Sequence, residues 1–190
     1  MMNGFEATRM FIHALEAVGV EYMVAGSLSS NAYGIPRSTK DADIVVVLQP
    51  GQLDALMAQV GDHFELDPQA SFEAVTGTYR HILHAPASGF KIELFLLSRD
   101  EHDQTRFARR SRVASDQLGC QVWLPTPEDI VIMKLRWAKG AARGKDTDDV
   151  RNVIAVQGDA LDWPYIHAWC EKHGTRALLE EIRASIPPLD

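Results

Sequence analysis

Short apolar runs, separated by glycine, proline and polar residues, organise the N-terminal quarter of the chain. Residues 22–25 form an apolar run that predicts a buried strand ending at Gly26. Residues 44–48 are strongly β-branched and predict a second strand. Between the two, Ser27 is placed to cap a short helix over residues 28–33. This part of the chain is therefore expected to run strand, turn, helix, loop, strand.

The same reading extends to the rest of the chain. Apolar residues at helical spacing predict helices over residues 5–18, 52–60, 130–138, 163–172 and 175–185, and a further helix from Glu101. Strand-like runs predict one hairpin from residues 79–85 and 90–97, and a second from residues 113–124 that closes the edge of the sheet. Residues 67–77 show little pattern and predict a loop. Thr126 and Pro127 stand where an N-cap and a first helical residue are expected.

The composition is that of a globular protein. The chain has 190 residues, 46% apolar and 24% charged, which are ordinary values for a globular protein. The net charge of −7 argues against a surface coated in basic residues. Cys120 and Cys170 are unpatterned and are expected to be reduced thiols. No signal-peptide pattern and no membrane-length apolar window is found, so a cytoplasmic protein without membrane contact is expected.

Two acidic residues stand at the head of the second predicted strand. Residues two apart on a strand point to the same face, so Asp41 and Asp43 present two carboxylates side by side. Two adjacent carboxylates repel each other, and a Mg²⁺ ion whose shell is completed by phosphate oxygens relieves that repulsion. Gly26 and Ser27 offer backbone N–H groups at a helix N-terminus, which is a ready anion site.

This order of motifs resembles a known superfamily. Gly26-Ser27, a short helix and then Asp41-x-Asp43 at the head of a strand are similar to the signature of the nucleotidyltransferases related to DNA polymerase β. The spacing Arg37-x-Thr39-x-Asp41-x-Asp43 resembles the bacterial branch that contains AbiEii-type toxins and small stand-alone transferases. The resemblance implies an α/β (α+β) nucleotidyltransferase fold, with a mixed sheet flanked by helices. A core over residues 1–124 and a C-terminal helical region over residues 125–190 are expected.

The resemblance also implies a reaction and a set of site residues. The reaction is the transfer of NMP from an NTP to an acceptor hydroxyl, with release of pyrophosphate and two bound Mg²⁺ ions. The implied catalytic residues are Asp41, Asp43, Glu93 and Lys134, of which Asp41, Asp43 and Glu93 are the implied metal ligands. The implied nucleotide-binding residues are Gly26, Ser27, Arg37, Thr39, Lys134 and Asp146.

Glu93 and Lys134 each interrupt an apolar run, and each has two interpretations. Glu93 either forms a surface ion pair with Lys91 on the same strand face or, by the resemblance, is the third carboxylate of the site. The ammonium of Lys134 either extends out of its helix to water or meets an anion, and the resemblance implies that it approaches the nucleotide phosphates. Asp146 is an N-cap with Asp149 at N3, or it orders Lys134 or Arg143.

The acceptor remains open at this level. Two basic windows, residues 106–112 and 134–145, mildly favour a large anionic acceptor, although the first window also suits a solvated helix end. One reading is a toxin, paired with an antitoxin, that modifies tRNA or another cellular target such as a protein. A second is a small-molecule transferase of the antibiotic-modifying kind. A third is a non-catalytic nucleotidyltransferase-like binding module, which the intact motifs disfavour.

Overall fold

The computed structural model describes residues 2–141 and 144–187. Its helices are α1 (Gly4–Val18), α2 (Gly26–Tyr33), α3 (Gln52–Val60), α4 (Glu101–Ala108), α5 (Pro127–Ala141), α6 (Gly144–Gln157), α7 (Trp163–His173) and α8 (Arg176–Ala184). Its strands are β1 (Glu21–Val24), β2 (Asp41–Val47), β3 (Glu65–Leu66), β4 (Ser71–Glu73), β5 (Thr78–Ala85), β6 (Phe90–Leu96), β7 (Ser111–Ser115) and β8 (Cys120–Leu124). The α/β class with a mixed sheet is confirmed.

The main sheet has six strands, in the order β1-β2-β6-β5-β3, with β4 also paired to β5. β2 and β6 are parallel, and every other pair in this sheet is antiparallel. In the parallel pair, Asp43 lies opposite Glu93. The register therefore brings together two carboxylates that are far apart in the sequence.

The two faces of the central strands have different roles because side chains alternate along a strand. On β2, Ala42 and Ile44 are fully buried in the main core, which also contains Phe11 of α1 and Leu56 of α3. The intervening positions of β2 face the other way, and there Val45 packs in a separate small cluster with Met23, Ala25 and Phe107. The main core thus lies on one face of the sheet, and the acidic side chains lie on the other.

A second apolar core lies in the C-terminal helices. It is built from α5, α6, α7 and α8 around residues such as Val131, Val153, Ile166 and Leu179. Tyr33 packs against both cores, and its carbonyl accepts a hydrogen bond from Gln157. The buried residues of the main core end at Leu124 and those of this second core begin at Ile130, and the domain boundary at residue 124 stays a prediction. Within the described ranges, no helix is long and apolar enough to cross a membrane.

Most predicted elements are present, and four details are wrong. Helix α2 begins at Gly26 with Ala25 as its N-cap, so Ser27 is not the cap. The hairpin of β7 and β8 is a two-stranded sheet of its own and does not close the edge of the main sheet. Residues 67–77 contain the short strand β4. Asp146 lies inside the first turn of α6, which begins at Gly144, so it is not an N-cap.

Candidate active site

One cleft contains most of the predicted site residues. It lies on the open face of the sheet, below α5 and beside the N-terminus of α2, and holds about 960 Å³ including its open mouth. Among its lining residues are Gly26, Ser27, Asp41, Asp43, Glu93, Lys134 and Asp146. Of the predicted residues, all of which the structure describes, Arg37 and Thr39 stand outside this lining.

The carboxylates of Asp41 and Asp43 face the cleft because both occupy odd positions of β2. Thr39 donates a hydrogen bond from its hydroxyl to Asp41 Oδ1 at 2.8 Å, so Thr39 orients a carboxylate at the edge of the cleft. Burial, together with the charges of Asp41 and Glu93, raises the pKa of Asp43 to about 6. Asp43 thus lies where additional positive charge is favourable.

Gly26 lies against Asp43 so closely that only glycine fits. Its φ is +57°, in the left-handed region, and a Cβ added there would lie 1.7 Å from Asp43 Oδ2. Since Gly26 is the first residue of α2, the amides of the first helical turn start directly beside the carboxylate pair. No hydrogen bond from a described side chain caps this N-terminus. The backbone at the start of α2 is therefore in direct contact with the Asp43 carboxylate.

Ser27 belongs to a chain of polar contacts that reaches the C-terminal helices. Its hydroxyl accepts a hydrogen bond from Arg37 Nη2 at 2.8 Å. Arg37 also donates to both oxygens of Asp149, from Nε at 2.6 Å and from Nη2 at 2.9 Å. Asp149 then contacts Lys134 Nζ at 2.7 Å, and Lys134 contacts Asp146 Oδ1 at 3.0 Å. The predicted contact between Asp146 and Lys134 is present, whereas Arg143, the other partner considered, lies outside the described residues.

Asp149 belongs to this cluster, although it is not among the nucleotide-binding residues that the resemblance implies. Its side chain is 2% exposed and binds two cations. Burial alone would raise its pKa, but hydrogen bonds and charge from Arg37 and Lys134 hold that pKa below the usual range for an aspartate. The spacing Asp146-x-x-Asp149 signals that both acids share one face of α6, but the sequence does not reveal that Arg37 reaches that face.

Of the two interpretations of Glu93, the one that pairs it with Lys91 is wrong. Glu93 forms an ion pair with Arg80 on the neighbouring strand β5, and not with Lys91, which is exposed. Arg80 and Glu93 both line the cleft. In the β5–β6 register, Arg80 is a diagonal neighbour of Glu93, within reach of a long side chain. The position of Arg80 on the cleft-facing side of β5 follows from strand alternation once the register is known.

The acidic pair fits magnesium better than it fits a metal that needs a closed cage. Among the described residues, no group of three or more His, Cys, Asp or Glu side chains is arranged to hold a metal ion. Magnesium keeps several waters and is usually bound by one or two carboxylates together with substrate phosphates. Asp41 and Asp43 match the carboxylates of that ligand set, and the neighbouring α2 amides suit the phosphates. Glu93 as a third ligand stays a prediction.

The arginines of the basic window over residues 106–112 are engaged within the molecule. Arg106 pairs with Asp103, Arg109 with Asp129, Arg110 with Glu21 and Arg112 with Glu16. In the second window, Arg136 pairs with Asp100 and Lys139 donates to the carbonyl of His173. The window over residues 106–112 therefore presents less unpaired positive charge in the folded protein than the sequence suggests.

Comparison with known proteins gives matches at the level of structure. No protein-family model and no curated protein matches the sequence. The structure of ANT(2″)-Ia in complex with adenylyl-2″-tobramycin matches with a TM-score of 0.61 at 12% identity, covering 91% of this chain and 98% of that one. A putative nucleotidyltransferase from H. pylori matches with a TM-score of 0.54 at 14% identity, covering 97% and 81%.

A third structure agrees with these two. An antigenic nucleotidyltransferase-like protein from Paracoccidioides brasiliensis matches with a TM-score of 0.50 at 19% identity, covering 96% of this chain and 94% of that one. All three likenesses extend over at least four fifths of both chains. At such identities a likeness speaks for the fold and leaves the acceptor open. The six-stranded mixed sheet, the Gly26–Asp43 contact and the paired carboxylates thus belong to a chain that has the nucleotidyltransferase fold.

Proposed function

We propose that this protein transfers a nucleoside monophosphate from an NTP to the hydroxyl of a small-molecule acceptor and releases pyrophosphate. The observation that carries the proposal is the contact between Gly26 and Asp43. It sets the amides of a helix N-terminus, which favour phosphate, beside a carboxylate pair that favours Mg²⁺. A complex of Mg²⁺ with a nucleoside triphosphate presents both the phosphates and the metal ion.

Each group of residues in the cleft has its own role in this reaction. Amides at Gly26 and Ser27 bind the β- and γ-phosphates, and Lys134, with Arg37 behind it, balances their charge. Asp41 and Asp43 hold Mg²⁺, which when bound neutralises charge on the phosphates and activates the acceptor oxygen. Glu93, held in place by Arg80, accepts the proton of the acceptor hydroxyl. The acceptor oxygen bonds to the α-phosphorus, and the bond to pyrophosphate breaks.

Two observations favour a small acceptor over RNA. The cations of the window over residues 106–112 are paired with carboxylates, so this surface is poorly suited to binding the phosphate backbone of RNA. The fold likeness to ANT(2″)-Ia spans nearly all of both chains, and that protein was solved with an adenylylated small molecule. The second candidate is a toxin with an antitoxin partner and a tRNA or protein target. It ranks second because it requires a surface that binds a macromolecule.

Label transfer tests the proposal and ranks the acceptors. Protein and Mg²⁺ would be incubated with each α-³²P-labelled NTP and, separately, with a small-molecule cell extract, total tRNA or total protein. We expect label in a small-molecule product, lost in Asp43→Asn and retained in Asp62→Asn, an exposed acid outside the cleft. Label on tRNA or protein would replace the small acceptor with the toxin reading. An absence of transfer together with an absence of NTP binding would leave a non-catalytic module.

A further inference from the structure

The cleft has a donor side and an acceptor side, if the proposed function holds. In-line displacement requires the attacking oxygen to approach the α-phosphorus opposite the leaving pyrophosphate. The phosphate-binding groups, Gly26 and Lys134, belong to α2 and α5, whereas β6, carrying Glu93, flanks β2 at its other edge. The acceptor therefore approaches over β6 and β5.

Charged side chains on this acceptor side already have partners. Glu93 pairs with Arg80 and, elsewhere in the cleft lining, Asp103 pairs with Arg106 while also accepting hydrogen bonds from Ser98. The Asp103–Arg106 pair is buried, and the Glu93–Arg80 pair is half-buried. A charged acceptor would have to separate one of these ion pairs to gain a counter-ion. Breaking a buried pair is costly, because it leaves the other charge uncompensated.

A third acid of the cleft lining, Glu73 of β4, is also satisfied within the protein. Its side chain is 6% exposed and accepts hydrogen bonds from the amides of Val75 and Thr76, and from the Thr76 hydroxyl. Arg136 fixes the same turn from α5 by donating to the carbonyl of Val75 at 3.1 Å. The rim of the cleft is thus built from groups that bind each other.

The surface beside these pairs is apolar. Phe95 follows Glu93 by two residues on the same face of β6, and it is the partly exposed aromatic ring of the cleft floor. The Arg80 guanidinium lies 5.8 Å from the centre of that ring, so Phe95 borders the pair that marks the acceptor side. Val45 continues the floor, and Met133 and Trp137 of α5 line the opposite wall. An aromatic floor with internally paired charges suits an uncharged, flat, apolar ligand.

We propose that the acceptor is an uncharged hydroxyl compound with an apolar ring, which packs on Phe95 and places its hydroxyl beside Glu93. The hydroxyl oxygen bonds to the α-phosphorus, its proton passes to Glu93, and pyrophosphate leaves with the electrons of the broken anhydride bond. Phe95 acts as a specificity residue for the acceptor and takes no part in nucleotide binding. This proposal rests on the proposed function.

The test uses three ring compounds that differ in charge: benzyl alcohol, 4-(aminomethyl)benzyl alcohol and 4-(hydroxymethyl)benzoate. Their binding to the protein saturated with Mg²⁺ and a non-hydrolysable NTP analogue would be measured by ligand-observed NMR. We expect the uncharged alcohol to bind roughly tenfold tighter than either charged analogue, and Phe95→Ala to weaken it by about the same factor. Phe95→Leu, which keeps apolar volume but loses the ring, should weaken it less.

Two controls separate the outcomes. Phe72→Ala removes an aromatic ring that is 62% exposed and outside the cleft lining, and it should leave binding unchanged. Affinity for the NTP analogue should be equal in all variants, which also shows that they fold. Tighter binding of a charged compound, failure of all three to bind, or displacement of the alcohol by the nucleotide would overturn the proposal. Failure of the nucleotide analogue itself to bind would instead overturn the proposed function on which it rests.

Discussion

At the scale of single residues, the contact between Gly26 and Asp43 defines the site. Gly26→Ala would place a methyl group on Asp43 Oδ2 and impose a left-handed φ on alanine. We expect the variant to lose measurable NTP binding and more than about 2 kcal/mol of folding free energy, since clash and backbone strain add. Calorimetric titration with nucleotide and urea unfolding would measure the two effects.

Gly19→Ala is the matched control for this substitution. Gly19 is also left-handed, with φ +72° and ψ +32°, and a Cβ there would meet nothing within 4 Å in the described part of the chain. It should lose only the strain contribution, on the order of 1 kcal/mol, and bind nucleotide normally. Equal effects of the two substitutions would show that strain alone matters at Gly26 and that the close approach to Asp43 does not.

Asp43 illustrates how a proposed metal ligand reduces the stability of the fold. A carboxyl whose folded-state pKa is raised to about 6 stabilises the protein below its unfolded pKa, and this contribution is lost as pH rises through 6. Asp43→Asn should therefore raise the free energy of unfolding at pH 7.5 in EDTA by about 1–3 kcal/mol. The gain should shrink toward pH 4. An equal or lower stability of Asp43→Asn at pH 7.5 would contradict the electrostatic reading.

At the scale of elements, α6 holds Arg37 and Lys134, the cations of the proposed nucleotide side, in place. Asp149→Asn leaves Arg37 and Lys134 without their shared carboxylate, so stability should fall by about 3–5 kcal/mol. Nucleotide affinity should fall roughly tenfold or more because both cations lose their positions. Asp148→Asn is the control, since Asp148 is an exposed neighbour paired with Arg151. Comparable losses in the two variants would rule out a special role for Asp149.

Comparison of the predicted and observed elements shows that the sequence reveals local structure but not long-range contacts. Local patterns predicted the strands that carry Asp41, Asp43 and Glu93, because alternation and β-branching act between near neighbours. They did not reveal that Arg37 meets Asp149, a contact across 112 positions of the chain. They also placed the cap of α2 at Ser27, because a serine after a glycine is a common cap.

The pairing of β4 escaped prediction for a related reason. The strand has only three residues, Ser71–Glu73, and its order comes from contacts made elsewhere in the chain. Arg136 of α5 binds the carbonyl of Val75 in the adjoining turn. A strand this short carries no period that a sequence window detects, so its position depends on the assembled fold.

At the scale of the whole molecule, a buried polar cluster joins the core to the C-terminal helices. Asp129 of α5 bonds His102 of α4 at 3.1 Å and Tyr165 of α7 at 2.7 Å. His173 of α7 stacks edge-on against His102, with ring centres 5.5 Å apart. Burial, together with the positive charge of Arg136, lowers the pKa of His173 to about 4.

This junction should make the fold sensitive to acid. A histidine with a depressed pKa contributes full stability above its unfolded pKa of about 6.5, and that contribution is lost as pH falls toward 4. His173→Gln should flatten the pH dependence of urea unfolding over this range by on the order of 1 kcal/mol, allowing for its partial exposure. His63→Gln, at an exposed position, should leave the slope unchanged. An unchanged slope in His173→Gln would remove His173 as the acid-sensitive group.

The cleft as a whole is tested by nucleotide binding, because binding needs no knowledge of the acceptor. Isothermal titration of the protein with each NTP, in Mg²⁺ and in EDTA, would be compared with the Asp41→Asn/Asp43→Asn double variant. We expect binding that requires Mg²⁺, that is lost in the double variant and that involves at least one of the four nucleotides. Binding of equal strength in EDTA, or in the double variant, would contradict a magnesium-nucleotide site at these carboxylates.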